Sequence, residues 1–386
     1  MRFIKIAALL VIIGSAYWFL EHEQQPIIQA SGKKIKVGVI APLTGMNMSR
    51  GRSGLKGIEI AMQLQPYLDN GDAIELVTID DQGVPEQAIT ALKTLSETHK
   101  VAAILILSGS DSVLAVGKNA DSFKTPVLAL TASHPDITKH SSWVSQFNFD
   151  DKFQATVAAL FIRDELLFDN VAILTQSDNA HFWYLAKEFS NQFTAVDGWV
   201  SDIIDLTGDG NNYVEILESI RSKGVDLLYL PVGVEHIFQI QKALEIIEWN
   251  PEIMASSGLM ASVIEQQTYP LSLVDGMLAT DTFHNDMDLT DFGERLKKKI
   301  ISLGFTKQDI VTHSLLGMEG YALLASAMNQ CEDSSNRDCI NSRIRWTVRF
   351  EGIMGYITID GDGKAHRPLI INELKDGKMN FKIKVY

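Results

Sequence analysis

Short, fully apolar segments alternate with amphipathic helical patterns along most of this chain of 386 residues. The first four apolar segments are Lys34–Ala41, Ile74–Asp80, Val101–Leu107 and Pro126–Thr131. Strands that are apolar on both faces occur in parallel sheets, which helices cover on both sides. The pattern therefore predicts an α/β lobe built on a parallel central sheet.

The same alternation starts again at Val171–Thr175 and continues to Glu252–Ala255, which predicts a second lobe of the same kind. The segment Trp143–Asp151 lies between the two series and is the expected crossing from lobe to lobe. After Met277–Asp281 the chain returns to helical patterns and then ends in β-hairpin patterns. A chain of this length is expected to form two or three domains, and several crossings between two lobes predict a hinged molecule.

The start of the chain has the pattern of a targeting segment. Arg2 and Lys5 precede an apolar run from Ile6 to Leu20, so residues 1–30 are interpreted as a signal peptide or an N-terminal membrane anchor. The run is slightly shorter than the roughly 17–25 residues of a spanning helix, which leaves cleavage open. We therefore expect the rest of the chain to be periplasmic, with a link to the inner membrane through residues 6–20 if they are retained.

Charge and motif content exclude several classes of function. The chain has 34 Lys+Arg against 48 Asp+Glu, a net charge of −14, which argues against a nucleic-acid partner. It contains neither a nucleophile elbow nor a phosphate-binding loop, and its nine histidines form no helix-spaced pair. We therefore expect no enzyme activity, no catalytic residue, no cofactor and no metal.

Cys331 and Cys339 are the two cysteines of the chain, and they bracket the polar segment Glu332–Asp338. Outside the cytoplasm two thiols so close in sequence are expected to form a disulfide that holds this loop. Two unpaired thiols are the alternative reading.

The polar loops that follow the predicted strands are the expected ligand site. Ligands of open parallel sheets bind at the carboxyl ends of the strands, next to helix N-termini. Convergence of several small, polar loops on one cleft is typical of a binding site, although serines there can also serve only as helix caps. The six loops are Thr44–Arg50, Ser108–Ser112, Thr131–His134, Ser177–His181, Val232–Glu235 and Ser256–Gly258.

Several segments resemble the type I periplasmic binding proteins of the leucine/isoleucine/valine-binding group. They include KIKVGVIAPLTG, the glycine-rich GRSGLKGIEIAM, TPVLALTASHPDIT and the C-terminal FEGIMGYITIDGDGKAHRPLIINELKDGK. The resemblance implies two Rossmann-like lobes that are joined by three crossing strands. It places lobe 1 at residues 33–147 and 282–355, and lobe 2 at residues 148–281 and 356–386.

The resemblance also implies specific contacts in the cleft. The serine that lines the family's site corresponds to Ser110, and the residues that hold an amino acid's backbone correspond to Thr131 and Ser133. An aromatic residue of the family's first loop is replaced by Arg50, and a stacking tyrosine by His181.

In the second lobe, Val232 is expected to line the cleft, while the acid that usually meets an α-amino group corresponds to Ser257. Without that acid, and with Arg50 near a helix N-terminus, a carboxylate-bearing ligand is favoured over a free α-amino acid. We therefore expect an extracytoplasmic solute-binding protein that captures an amino acid or carboxylate-like ligand for an ABC permease. The alternative is a membrane-tethered sensor of the same fold that acts on a protein partner.

Overall fold

The computed structural model describes residues 32–45, 47–266, 269–284, 287–305, 311–376 and 378–386. The predicted targeting segment lies outside the described residues. Within the described ranges, no helix combines the length and the apolar character needed to cross a membrane.

The first lobe is built on a five-stranded parallel sheet with the strand order β2-β1-β3-β4-β5. Strand β1 pairs in parallel with β2 on one side, where Lys34 lies opposite Ala73. On its other side it pairs in parallel with β3, where Gly38 lies opposite Ile104. The predicted parallel sheet is therefore confirmed. Its strands are β1 (Lys34–Ala41), β2 (Ala73–Asp80), β3 (Ile104–Ile106), β4 (Val127–Ala129) and β5 (Val144–Gln146).

Helices cover both faces of this sheet, and their buried side chains form two hydrophobic clusters with the strands. A π-helical turn, Thr94–Thr98, directly follows the helix Pro85–Lys93. The helices of the first lobe are α1 (Met48–Leu64), α2 (Pro85–Lys93), α3 (Ser110–Ala120), α9 (Asp291–Ser302), α10 (Thr312–Asn329) and α11 (Arg337–Arg345).

The glycine-rich segment after β1, GRSGLKGIEIAM, lies within helix α1. Its glycines allow close packing: a Cβ atom on Gly57 would overlap the Ser314 carbonyl oxygen, and one on Gly317 would overlap that of Gly54. Helices α1 and α10 therefore pack backbone to backbone, which only residues without a side chain permit.

The second lobe is built on a seven-stranded sheet with the strand order β15-β14-β10-β9-β8-β6-β7. Five of its strands run parallel, while β14 and β15 form an antiparallel hairpin at one edge. The strands are β6 (Asn170–Thr175), β7 (Trp199–Asp205), β8 (Leu227–Leu230), β9 (Glu252–Ala255), β10 (Leu278–Asp281), β14 (Leu369–Lys375) and β15 (Lys378–Val385).

In the described part of the chain, five helices pack against this sheet around two further hydrophobic clusters. A π-helical turn, Phe161–Glu165, extends the first helix, and a short 3₁₀ helix, Leu271–Val274, precedes β10. The helices are α4 (Asp151–Leu160), α5 (Ala180–Ala195), α6 (Tyr213–Arg221), α7 (Val234–Ile246) and α8 (Leu259–Gln266).

Among the described residues, the chain changes from one hydrophobic core to the other at three places. Phe147 belongs to the first lobe's core and Phe149 to the second's, and Ala279 and Phe283 mark the return. The third change lies between residues 365 and 369, about ten residues after the expected division at 355/356.

A small antiparallel sheet explains why the third change of core comes at residues 365–369. Its strands are β11 (Phe350–Glu351), β12 (Tyr356–Ile359) and β13 (Ala365–His366). Its apolar residues, including Ile357 and Ile359, pack into the first lobe.

A disulfide joins Cys331 to Cys339, with their Cα atoms 6.0 Å apart. The loop between them is shorter than expected because α11 already begins at Arg337. The side chain of Asn336 accepts a hydrogen bond from Cys339 N and caps this helix.

Candidate functional site

A cavity of about 550 Å³ lies between the two lobes, at the carboxyl ends of their parallel strands. Its walls combine the loops after the strands of the first lobe with those of the second, as the sheet topology predicts. All of the predicted ligand-binding residues line this cavity, namely Arg50, Ser110, Thr131, Ser133, His181, Val232 and Ser257.

The hydroxyl groups of the first lobe organise the wall of the cavity. Ser110 Oγ accepts hydrogen bonds from the backbone N–H of Ser133 at 3.4 Å and of His134 at 3.3 Å. Thr131 Oγ1 is 2.9 Å from the Leu107 carbonyl oxygen, to which it donates. The hydroxyl hydrogen of Ser110 is therefore available to a ligand, whereas that of Thr131 serves the protein's own backbone.

Arg50 lies inside helix α1, in its first turn, and not in the loop before the helix as the sequence analysis expected. It is half-buried and lines the cavity. Its Nη1 atom lies 3.3 Å from the position that a Cβ atom on Gly109 would occupy. The guanidinium group therefore rests against the backbone that leads into α3, where a glycine leaves room for it.

His181, which stands at the position of the family's stacking tyrosine, makes hydrogen bonds. Its Nδ1 atom lies 2.9 Å from both carboxylate oxygens of Asp151 and 3.1 Å from Ser133 Oγ. Asp151 is fully buried and donates its backbone N–H to the Ser133 carbonyl oxygen at 2.9 Å. Since Ser133 comes from the first lobe and His181 from the second, this cluster connects the two walls of the cleft.

Two further contacts join the lobes beside the cavity. Asp111 Oδ1 accepts a hydrogen bond from Ala180 N, the first residue of α5, at 3.2 Å. The rings of His134 and Tyr184 meet edge to face with centroids 4.9 Å apart. Burial lowers the pKa of His134 and raises the pKa of Tyr184 to about 12, so both rings are neutral near pH 7.

The far end of the cavity contains a buried acid that the sequence analysis did not select. Asp281, at the end of β10, accepts hydrogen bonds on Oδ1 from Thr312 Oγ1 and from Thr282 N, both at 2.7 Å. Burial raises the pKa of Asp281, while these two hydrogen bonds oppose the shift. The strand-end rule that selected the six loops also applies to β10, so Asp281 was within reach of sequence reasoning.

The charges around the cavity are of both signs. Among the described lining residues, Arg50 is the only Lys or Arg, whereas four carry carboxylates: Asp111, Asp178, Glu235 and Asp281. The described residues contain no cluster of three or more His, Cys, Asp or Glu side chains that could hold a metal ion. The cleft therefore offers one fixed positive charge on the first lobe and several acids around it.

Two α/β lobes that enclose a polar cleft, with three chain crossings between them, define a class of two-lobed ligand-binding proteins. The family of periplasmic binding proteins matches residues 34–378, so the chain belongs to that family.

Similar proteins agree with this assignment. An amino acid binding protein from Pseudomonas aeruginosa is 23% identical over 303 residues, which cover 76% of this chain and 78% of that protein. The leucine binding protein LivK from Thermotoga maritima has a TM-score of 0.81 at 25% identity, covering 91% of this chain and 98% of that chain. A solute binding protein of an ABC transporter from Rhodopseudomonas palustris, in complex with p-hydroxybenzoic acid, has a TM-score of 0.78 at 19% identity, covering 91% and 96%. All three are named as binding proteins. The family match makes this chain a binding protein and not an enzyme.

Proposed function

We propose that this protein captures a small carboxylate-bearing solute in the cleft between its lobes, for delivery to an ABC-type permease. The observation that carries the proposal is the first-lobe wall, where Arg50, the Ser110 hydroxyl and the start of α3 line the same cavity. A guanidinium group, a hydroxyl donor and backbone N–H groups at a helix N-terminus are all suited to a carboxylate.

The similar proteins support this ligand class. One is named for leucine and another was crystallised with p-hydroxybenzoic acid, and both of these molecules carry a carboxyl group. The cavity of about 550 Å³ is large enough for either molecule.

Capture would involve closure of the two lobes. The sequence-based division places lobe 1 at residues 33–147 and 282–355 and lobe 2 at residues 148–281 and 356–386. Because Ile357 and Ile359 belong to the first lobe's core, we propose that the small sheet of β11 to β13 belongs to lobe 1 and that lobe 2 resumes at Leu369. Bending would occur at Phe147–Asp150, at Thr280–Thr282 and in the third crossing, which the sequence analysis placed at Met354–Tyr356. Ligand contacts from both walls would shift the population from open to closed molecules.

Export and membrane attachment rest on the first thirty residues. We propose that they direct the protein to the periplasm and that residues 6–20 anchor it in the inner membrane if they are not cleaved. A retained anchor would favour the alternative role of a sensor that acts on a protein partner, because an anchored protein diffuses less freely.

The test is a search for the bound solute. Native mass spectrometry of the purified protein, followed by a thermal-shift screen of amino acids and aromatic and aliphatic carboxylates, should identify a carboxylate-bearing ligand. Calorimetry then gives its affinity and stoichiometry. Failure of every carboxylate to bind, with selective binding of a neutral or purely cationic solute, would contradict the proposal.

A further inference from the structure

The first turns of α5, in the second lobe, rest against the first lobe beside the cavity. The backbone N–H of Ala180 donates to Asp111 Oδ1 at 3.2 Å. The ring of Tyr184, one turn further along α5, meets the ring of His134 edge to face, with centroids 4.9 Å apart. We call these two contacts the latch, because each joins one lobe to the other.

The two rings of the latch lie beside the solute site and not in it. Among the described residues, neither His134 nor Tyr184 lines the cavity. A change of charge on the His134 ring therefore acts first on the contact between the lobes. Histidine is the side chain whose charge ordinarily changes between about pH 5 and 8. The latch is accordingly a place where pH can act on the arrangement of the lobes.

A backbone hydrogen bond sets the protonation state of His134. The N–H of Asp136 donates to His134 Nδ1 at 3.2 Å, so this nitrogen carries no proton. The ring is thus neutral with its hydrogen on Nε2, and a doubly protonated ring cannot accept this bond. Because the bond lies within one loop of the first lobe, it is kept when the lobes separate. A difference between joined and separated lobes must therefore come from the second lobe.

The second lobe supplies that difference by covering the ring. His134 is partly buried, and burial is the largest influence on it and lowers its pKa. Burial and the nearby carboxylates of Glu188 and Asp150 raise the pKa of Tyr184 to about 12, so the tyrosine stays neutral. Separation of the lobes removes Tyr184 and exposes the His134 ring to water, where the charged form costs less.

The charged groups around the ring have smaller effects than burial. Carboxylates favour the protonated ring from three elements, and a second imidazole on α5 opposes it. They are Asp136 on the same loop, Asp111 on α3, Asp151 on α4, and His181. Asp136 and Asp111 belong to the first lobe, and Asp151 is bonded to the loop through its backbone N–H and the Ser133 carbonyl oxygen. These three carboxylates therefore remain near the ring when α5 moves away.

We propose that His134 makes the latch sensitive to pH: the neutral ring holds α5 against the first lobe, and protonation of the ring releases it. The joined form binds fewer protons than the separated form. Its share therefore rises with pH between the lowered pKa of His134 and the ordinary value of 6.5. Since one proton is involved, the equilibrium between the two forms changes at most about tenfold per pH unit. This inference goes beyond the proposed function, because it assumes nothing about the solute.

The test measures the distance between the lobes at different pH values without a solute. Spin labels on Lys118→Cys of α3 and Asn191→Cys of α5 report this distance by pulsed electron paramagnetic resonance, since both residues are exposed. Cys331 and Cys339 form a disulfide and take no label. Distance distributions are recorded from about pH 5 to about pH 8.

Three variants in the labelled background separate the latch from other effects. His134→Asn keeps an acceptor for the Asp136 N–H but does not ionise in this range. Tyr184→Leu removes the ring that covers His134. His140→Asn is the matched control, because His140 is an exposed histidine that follows the same loop.

We expect the labelled parent and His140→Asn to shift towards longer distances as the pH falls, with populations that change up to about tenfold per pH unit. His134→Asn should keep one distribution at every pH. Nuclear magnetic resonance of the histidine rings, assigned with His134→Asn, should show that the pKa of His134 rises towards 6.5 in Tyr184→Leu. This second readout does not depend on how well His134→Asn folds.

Three results would overturn the inference. An unchanged distribution in the labelled parent would show that pH does not act on the lobes. A shift that persists in His134→Asn would assign the effect to His181 or to the acids. A shift towards shorter distances at low pH would show that the charged ring is the one held against Tyr184, as in a cation–π contact. No solute is present, so these results leave carboxylate capture standing, and failure of every carboxylate to bind would leave the latch standing.

Discussion

Arg367 Nη2 lies 2.8 Å from Glu319 Oε2, and both side chains of this ion pair are buried. Arg367 belongs to the third crossing, and its guanidinium group lies over the ring of Phe147 in the first crossing, 5.0 Å from the ring centroid. Glu319 lies on α10, and its Oε1 atom accepts a hydrogen bond from Ile353 N at 2.5 Å. Glu319 thus holds Arg367 of the third crossing, and Arg367 in turn contacts Phe147 of the first crossing. One side chain of the first lobe therefore fixes two of the three segments that join the lobes.

Loss of the Glu319 charge should destabilise the protein strongly. Glu319→Gln keeps the acceptor for Ile353 N but leaves the charge of Arg367 buried without a counter-charge, which costs about 3–5 kcal/mol in comparable pairs. Urea unfolding followed by circular dichroism measures the free energy of unfolding. The control is Asp333→Asn in the exposed Lys33–Asp333 pair, where the change should stay within about 1 kcal/mol. Equal effects in both variants would refute the role assigned to burial.

Removal of the Arg50 charge should weaken the binding of the carboxylate ligand. Arg50→Ala deletes a charge-assisted contact, and the expected loss of affinity is about 10- to 150-fold by calorimetry. Arg52→Ala is the matched control, since Arg52 is exposed on the same helix and donates to the Leu43 carbonyl oxygen at 2.8 Å. It should change affinity less than about twofold. Similar losses in both variants would assign the effect to helix α1 and not to the contact.

The cysteines should be oxidised in protein that has been exported. Intact mass after alkylation, with and without reductant, should show no alkylated cysteine in the unreduced sample. Replacement of Cys331 and Cys339 by serine should lower the free energy of unfolding by about 2–3 kcal/mol, because the closed loop is short. Two alkylated cysteines in unreduced protein would show that the pair is not formed.

Asp281 should make stability depend on pH in a defined direction. Burial raises its pKa, so between its ordinary and its raised value the folded protein binds more protons than the unfolded chain. Its contribution to the free energy of unfolding therefore falls as pH rises through that window. Asparagine does not ionise, so Asp281→Asn without ligand should be more stable than the wild type near neutral pH. The difference should vanish below about pH 4.

Thermal melts of the two proteins from acidic to neutral pH measure this difference. A constant offset at every pH would mean that packing, and not ionisation, separates the two proteins.

Closure of the lobes should be visible in solution. Small-angle scattering with saturating ligand should give a smaller radius of gyration than scattering without it, because ligand contacts favour the closed population. Arg50→Ala at the same ligand concentration serves as the control and should show a smaller change if it is not saturated. An unchanged radius for the saturated wild type would contradict hinge closure.

Periodicity predicted the two sheets well because strand and helix patterns are local properties of the chain. The predicted segments around Lys34–Ala41 and Glu252–Ala255 agree with observed strands. Periodicity could not place the third crossing, because Ile357 and Ile359 alternate as any half-buried strand does. This alternation does not indicate whether the apolar face of the strand packs into the core of the first lobe or of the second.

The cleft was predicted in outline for a similar reason. Parallel strands bring their carboxyl ends to one edge, so the loops that contain Ser110 and Ser257 had to approach each other once the sheets were recognised. The role of His181 was not predictable, since its partner Asp151 reads in the sequence only as part of the helix start after Asp150.

By itself the sequence determined the α/β lobes, the position of the cleft and the residue types that line it, because these follow from short-range patterns of apolar and polar residues. Only the tertiary structure decided which of those residues hold one another. The pairs Thr312–Asp281, His181–Asp151 and Arg367–Glu319 join positions 31, 30 and 48 residues apart. Their partners meet only when the crossings and helices pack, because each pair joins elements that are distant in the sequence.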